Sequence, residues 1–280
     1  MGLGASVMCT CHARGLTGPP PYAEHVHLEQ GFLSLDLPWE DHRAEHDAFD
    51  AWRLHACAHD DMELAGAYIA NWGGYRMFRE ALASVGWECF PTLAAVLPHA
   101  NGGFVEAADS ARCLDELAVF EARYRADVAA LFYTDTGALL HHHNRAYDGL
   151  FLYAGRSSGV EVGVDERGLF VREGEPFHRE LFRAKRVEQR PFELDGAEAA
   201  ELVDLDSGAR FTMRTQIHGL AIPWPDGRME NDAHRFRFSV PAHLHVADDT
   251  LTAAAFADTL DALRLVFRAS VESGNPVRWL

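Results

Sequence analysis

Residues 3–8 are an almost unbroken apolar run of strand length, and Gly15, Gly18 and Pro19-Pro20-Pro21 mark the turn out of it. A polar, histidine-bearing stretch follows over 24–47, interrupted by Phe32-Leu33-Ser34-Leu35, which predicts a second short strand. Phe49, Trp52 and Ala56 recur at helical spacing and predict a helix over 45–59, ended by Asp60-Asp61. Residues 64–69 are again apolar-periodic and run into Asn71-Trp72-Gly73-Gly74, read as a turn, after which 75–85 predicts a further helix. Residues 92–97 are apolar and give way to the loop Pro98-His99-Ala100-Asn101-Gly102-Gly103. Leu114, Leu117, Phe120 and Tyr124 then share one side of the longest expected helix, over 107–130. On this reading 40–130 is mainly helical.

The period changes over 131–246. Val160, Val162 and Val164 lead into Asp165-Glu166-Arg167-Gly168, and Phe236, Phe238 and Val240 alternate with Arg235, Arg237 and Ser239, so this segment predicts a run of β-hairpins. A last helix over 251–270, closed by Gly274 before Asn275-Pro276, precedes a strand-like end at 277–280. The fold class expected is α+β: a helical core with terminal strands plus an inserted, hairpin-rich antiparallel β segment. The domains expected are a core formed by 1–130 with 247–280 and an insertion at 131–246.

At 280 residues, 48% of them hydrophobic, the chain can build a core without disulfides. The net charge of −17, with Lys185 the single lysine among otherwise arginine-only basic residues, disfavours a phosphate backbone or an anionic membrane as partner. It favours a basic protein. No apolar run approaches the ~20 residues of a membrane span and no leader opens the chain, so a cytoplasmic location is expected. Met1-Gly2 with Ser6 fits an N-myristoylation pattern, but without a basic cluster one acyl chain anchors only marginally. The five cysteines are scattered and odd in number, which reads as reduced thiols, with Cys89 and Cys113 as core fillers.

Cys9-Thr10-Cys11 and Cys57-Ala58-His59 share a one-residue gap and supply four soft donors from two separate elements, the set that Zn²⁺ takes in a tetrahedron. Cys9, Cys11, Cys57 and His59 are therefore the candidate metal ligands, against the plainer reading of buried thiols and a helix-capping histidine. His99 is an alternative to one of these ligands, and if only three protein ligands converge, a water in the fourth position makes the site hydrolytic rather than structural. His55 and His59 also stand four apart, without the glutamate of a metalloprotease helix. His141, His143, His243 and His245 form a second alternating set that can be read as ligands or as ordinary sheet residues. Asp135-Thr136-Gly137 and Asp206-Ser207-Gly208 evoke an aspartic dyad, yet both sit where a hairpin needs a turn, and the turn reading is preferred. His12, His25, His27, His42 and His46 read as solvated loop side chains.

The opening Met1-Gly2-Leu3 through Cys9-x-Cys11 to the prolines, Ala56-Cys57-Ala58-His59, Leu97-Pro98-His99 with its glycines, and the terminal helix with Gly274-Asn275-Pro276 resemble a family of uncharacterised bacterial proteins. The resemblance implies a bacterial origin and a shared core over about 1–125 and 250–280, but no reaction. The functional expectation is an acidic protein-binding or inhibitor protein of the immunity type, holding a structural metal. The alternative is a metal-dependent hydrolase with an open Cys/His site.

Overall fold

The computed structural model describes residues 2–153, 159–219, 221–223 and 236–280; Met1 and Arg235, used in the pattern above, lie outside the described residues. The chain runs through β1 (Gly2–Met8), β2 (Val26–Glu29), β3 (Phe32–Leu35), α1 (Arg43–His55), β4 (Glu63–Asn71), α2 (Trp72–Val85), α3 (Pro91–Val96), β5 (Phe104–Val105) and α4 (Ala107–Arg123). It continues with β6 (Arg125–Tyr133), β7 (Ala138–His142), β8 (Leu150–Leu152), β9 (Val160–Asp165), β10 (Gly168–Glu173), β11 (Glu180–Ala184), β12 (Arg186–Leu194), β13 (Ala197–Asp204) and β14 (Arg210–Met213). The short β15 (Ala221–Pro223) and β16 (Phe236–Phe238) follow, then β17 (His243–Thr252), α5 (Ala257–Ser273) and β18 (Val277–Trp279). Two compact units result, Met1–Tyr124 with Thr252–Leu280, and Arg125–Leu251.

The first unit is built on an antiparallel sheet of order β4-β1-β18-β5. β1 lies between β4 and β18; Leu3, Ala5 and Val7 on one face are each no more than 1% exposed, and Ser6 and Met8 on the other are 1% and 4% exposed, so the second half of the strand is buried on both faces. The two chain ends close on each other there: Ala5 lies opposite Trp279, and Leu280 N–H donates to Gly4 O at 2.9 Å. An aromatic cluster of Phe78, Phe90, Phe120 and Phe256 fills the space under α2 and α4, with Phe78 edge-on to Phe120 at 5.4 Å. Ser110 Oγ donates to Ser270 Oγ at 3.1 Å, a buried bond that ties α4 to α5. A smaller core of Met8, Cys9, Leu33, Leu35, Phe49 and Met62 joins the end of β1 to α1 and to the β2-β3 hairpin.

The second unit contains a six-stranded sheet, β14-β13-β12-β17-β6-β7, and a four-stranded one, β11-β10-β9-β8. Val162, Val164, Leu169, Val171, Leu202 and Leu244 are fully or almost fully buried in its core. Buried Gln189 replaces missing ladder bonds: its amide donates to Ile217 O at 3.0 Å and Pro241 O at 2.9 Å, and accepts from Ile217 N–H at 2.7 Å.

The expected helical core with terminal strands and a hairpin-rich insertion is corrected by this architecture. Strand outweighs helix among the described residues, and the first unit is centred on a sheet. Two segments account for the difference. Residues 64–69 form β4, where Ala65, Ala67 and Ala70 pair with Val7, Ala5 and Leu3 of β1. The expected helix over 107–130 stops at Arg123, and the continuous apolar run Val128–Leu131 belongs to β6. Short apolar runs satisfy either period, so a neighbouring strand decides between them. Gly73 and Gly74, read as a turn, lie in the first turn of α2, where Asn71 Oδ1 accepts the Gly74 N–H at 2.7 Å and caps the helix. No helix among the described residues is long and apolar enough to cross a membrane.

Candidate metal centre

β1 ends at Met8, and the Cys9 N–H donates to Met62 O at 2.7 Å, so the last bond of the strand already joins the two segments that carry the thiols. The chain then turns tightly: Arg14 N–H reaches Thr10 O at 3.0 Å and Leu16 N–H reaches Cys11 O at 2.9 Å, with Gly15 at φ +67°. Asn275, just before β18, donates its side-chain amide to Met8 O at 2.8 Å and pins this turn from the other side.

The second pair does not lie on a helix, contrary to the expected span of 45–59. α1 stops at His55, and His59 is extended at φ −100°, ψ 129°. Residues two apart on a helix point to nearly opposite sides, so a helical Cys57 and His59 would not converge as they do here. Off the helix, the His59 N–H donates to Cys57 Sγ at 3.4 Å and folds the tripeptide around the sulfur. Asp61, at φ +50°, takes the Arg53 guanidinium of α1 at 2.6 Å and 3.3 Å, fixing the loop to the helix it has just left.

Cys9 Sγ, Cys11 Sγ, Cys57 Sγ and His59 Nδ1 all lie within 4.8 Å of one another, and this group can hold a metal ion. Cys9 Sγ to Cys57 Sγ is 3.7 Å, Cys11 Sγ to His59 Nδ1 is 3.5 Å, and Cys57 Sγ to His59 Nδ1 is 3.6 Å. A tetrahedron with Zn–S of about 2.3 Å and Zn–N of about 2.05 Å has S···S edges of about 3.8 Å and S···N edges of about 3.6 Å. Those three of the six separations match edges of such a tetrahedron, and the other three are no longer than 4.8 Å. The S···S distance is far from the ~2.05 Å of a disulfide, and all five cysteines are free.

Cys9 is buried and the other three are partly buried. Burial pushes the Cys9 thiol up to about 12, and the neighbouring Cys11 and Cys57 sulfurs add to the rise. The cavity beside Cys9, lined by Met8, Thr10, His12, Leu33, Met62 and Asn275 among others, measures about 30 Å³, room for about one water.

The remaining candidates fall elsewhere. His55 is exposed at the end of α1 and shares no helical face with His59. His99 Nε2 is 3.3 Å from the Arg79 guanidinium and takes no part in the cysteine cluster. The second histidine set does not converge on one point among the described residues. His141 stacks on Phe151 at 4.1 Å, His143 meets Glu166 at 3.1 Å, His243 meets Asp135 at 3.2 Å, and His245 bonds Thr134 at 2.9 Å. Asp135-Thr136-Gly137 and Asp206-Ser207-Gly208 are the turns β6-β7 and β13-β14, with Gly137 and Gly208 at φ +69° and +77°. Of the histidines expected in solvated loops, His12 bonds Thr17 at 3.1 Å, but His27 lies in β2 and bonds Ser34 at 3.0 Å, and His46 lies in α1 with its Nε2 2.9 Å from Leu37 O. Cys113 is fully buried, its thiol pushed up to about 12 mainly by burial, whereas Cys89 is half-buried and accepts from Arg123 at 3.2 Å.

Pattern reading missed the parts that position the ligands, Arg53 with Asp61 and Asn275 with the Met8 carbonyl. No periodic signal marks such pairs; only the unusual Asp-Asp after a helix hints at one. No family model matches the chain, and neither a curated protein nor a solved structure matches it.

Proposed function

We propose that Cys9, Cys11, Cys57 and His59 bind one Zn²⁺ as a closed structural site, and that the chain acts as an acidic binding protein braced by that ion. The observation that carries the first part is the convergence of all four donor atoms within 4.8 Å, with separations of 3.5, 3.6 and 3.7 Å that fit three of the six edges of a zinc tetrahedron. Three thiolates and an imidazole suit Zn²⁺ better than the hard ions that take oxygen ligands. When bound, the ion would supply a cross-link between the β1 turn and the loop after α1, and it would hold the thiols as thiolates.

Four protein donors leave no position for an activated water, and the adjoining cavity has room for about one solvent molecule. This speaks against the hydrolase alternative, which needs an open coordination position beside a substrate cleft. Free thiols at ligand spacing suit a reducing compartment, so the cytoplasm is the location inferred, in keeping with the resemblance to bacterial proteins. The net charge of −17 supports a basic protein as partner, of the kind an immunity-type inhibitor meets.

Metal analysis of protein purified without added metal tests the site. One zinc per chain is expected, with cobalt substitution giving the intense visible bands of a tetrahedral thiolate centre. Metal-free protein that also refuses cobalt would overturn the reading. Partner capture at graded salt tests the second part, where binding of a basic protein is expected to weaken steeply as ionic strength rises.

A further inference from the structure

A second site is built where α2 faces the loop after α3. An open cleft of about 460 Å³ lies between them, lined by Trp72, Tyr75, Arg76 and Arg79 of the helix and by residues 98–101 of the loop. Its volume falls in the range of small-molecule sites, roughly 300–1,000 Å³. It shares no residue with the cysteine cluster.

The walls are held firmly. Tyr75 Oη donates to Pro98 O at 3.0 Å, and Arg79 Nη1 donates to Leu97 O at 2.9 Å while its guanidinium lies over the Trp87 ring at 5.3 Å. Beyond the cleft the loop is paired to the end of the sheet, with Gly102 N–H to Trp279 O at 3.2 Å and Trp279 N–H to Gly103 O at 3.1 Å. Gly102 and Gly103 have φ of +101° and +94°, a conformation that glycine alone adopts without strain and that lets the loop make this approach.

What lines the cleft is unusual for so acidic a chain. Of 42 aspartates and glutamates, none is in the lining, which holds two arginines, a histidine and an asparagine. Arg79 Nη2 lies 3.3 Å from His99 Nε2. Arg76 is exposed and has no ion-pair partner among the described residues, and the Asn101 amide makes no hydrogen bond there. The unspent groups are thus mainly donors, with the indole of Trp72 and the apolar Pro98 and Ala100 alongside.

We propose that this cleft binds a small organic oxyanion, a carboxylate or phosphate carried on a planar ring, with Arg76 as its charge partner and Trp72 as the wall against which the ring lies. Arginine matches both headgroups in two-point geometry, and a ring against an indole excludes water from the pair. A positive cleft on a negative surface also draws anions inward and leaves cations outside.

Benzoate, phenyl phosphate and benzylamine serve as probes, read by NMR from the Trp72 indole N–H, which is assigned by its loss in W72F. Saturable shifts with either anion and none with the amine are expected, and the tighter anion identifies the headgroup. Arg76→Ala is expected to weaken binding by about tenfold or more, with Arg76→Lys recovering part of it. Arg76 is exposed, so both variants keep the fold. Absence of a saturable shift, equal binding of benzylamine, or an unchanged affinity in Arg76→Ala would each overturn the proposal.

Discussion

Removing the ion proposed for the cysteine cluster should cost the first unit a definite share of its stability. The ligand pairs are 48 residues apart in sequence, so a bound ion closes a loop of that length in the unfolded chain. Chain entropy for such a cross-link amounts to about 4 kcal/mol at 25 °C. Set against a typical domain stability of about 5–15 kcal/mol, that is a large fraction. For a unit of this size each kcal/mol moves the melting temperature by about 2–4 °C, so the expected drop is about 8–16 °C. Calorimetry of the purified protein before and after a strong chelator measures it, with Cys57→Ser and Cys89→Ser as the informative variants. Cys57→Ser should melt like chelated wild type and ignore the chelator, because one ligand is gone. Cys89→Ser should respond as wild type does, because Cys89 lies outside the cluster. A melting temperature that the chelator leaves unchanged would refute the reasoning, as would a full chelator response in Cys57→Ser.

Further expectations rest on other contacts. Arg53→Met frees the loop carrying His59 and leaves Asp61 without its 2.6 Å partner, so metal affinity should fall by about tenfold in a chelator competition. In the second unit, Gln189→Leu leaves the Ile217 and Pro241 backbone groups unpaired in a buried site, at a cost of about 2–4 kcal/mol in urea unfolding. Asp204 is held below the usual carboxylate range, first by the Ser207 hydroxyl and then by the N–H groups of Asp206 and Ser207. Its contribution is present above the unfolded carboxylate value of about 3.9 and is lost as pH falls through the lower folded value. Ser207→Ala should therefore flatten the acid limb of stability against pH, and an unaltered acid limb would show that this bond is not linked to folding.

How much of this was legible in the chain varies by element. Leu3 to Met8 and the alternating Val160, Val162 and Val164 were readable as strands, since an apolar run beside turn residues and a period of two are local properties. Tyr75 to Val85 was readable as helix for the same reason, and Gly274 as its counterpart stop for α5, at φ +75°. Residues 63–71 and 125–133 were not, because an apolar stretch of that length suits a helix or a strand until a partner supplies the ladder.

The sequence by itself determined the donor chemistry: three soft sulfurs and an imidazole in two short pairs, within an acidic, arginine-only surface broken by one lysine. Only the tertiary structure decided that the four atoms meet. Their meeting depends on the Cys9 to Met62 backbone bond, on α1 ending two residues before Cys57, and on Asn275 gripping the Met8 carbonyl from the far end of the chain. The same holds for the cleft beside Trp72, whose donors come from a helix and a loop that share no local pattern. Local periodicity encodes what one residue does to its near neighbours, whereas a site is a coincidence of distant segments, and it is the packing of buried surfaces that brings those segments together.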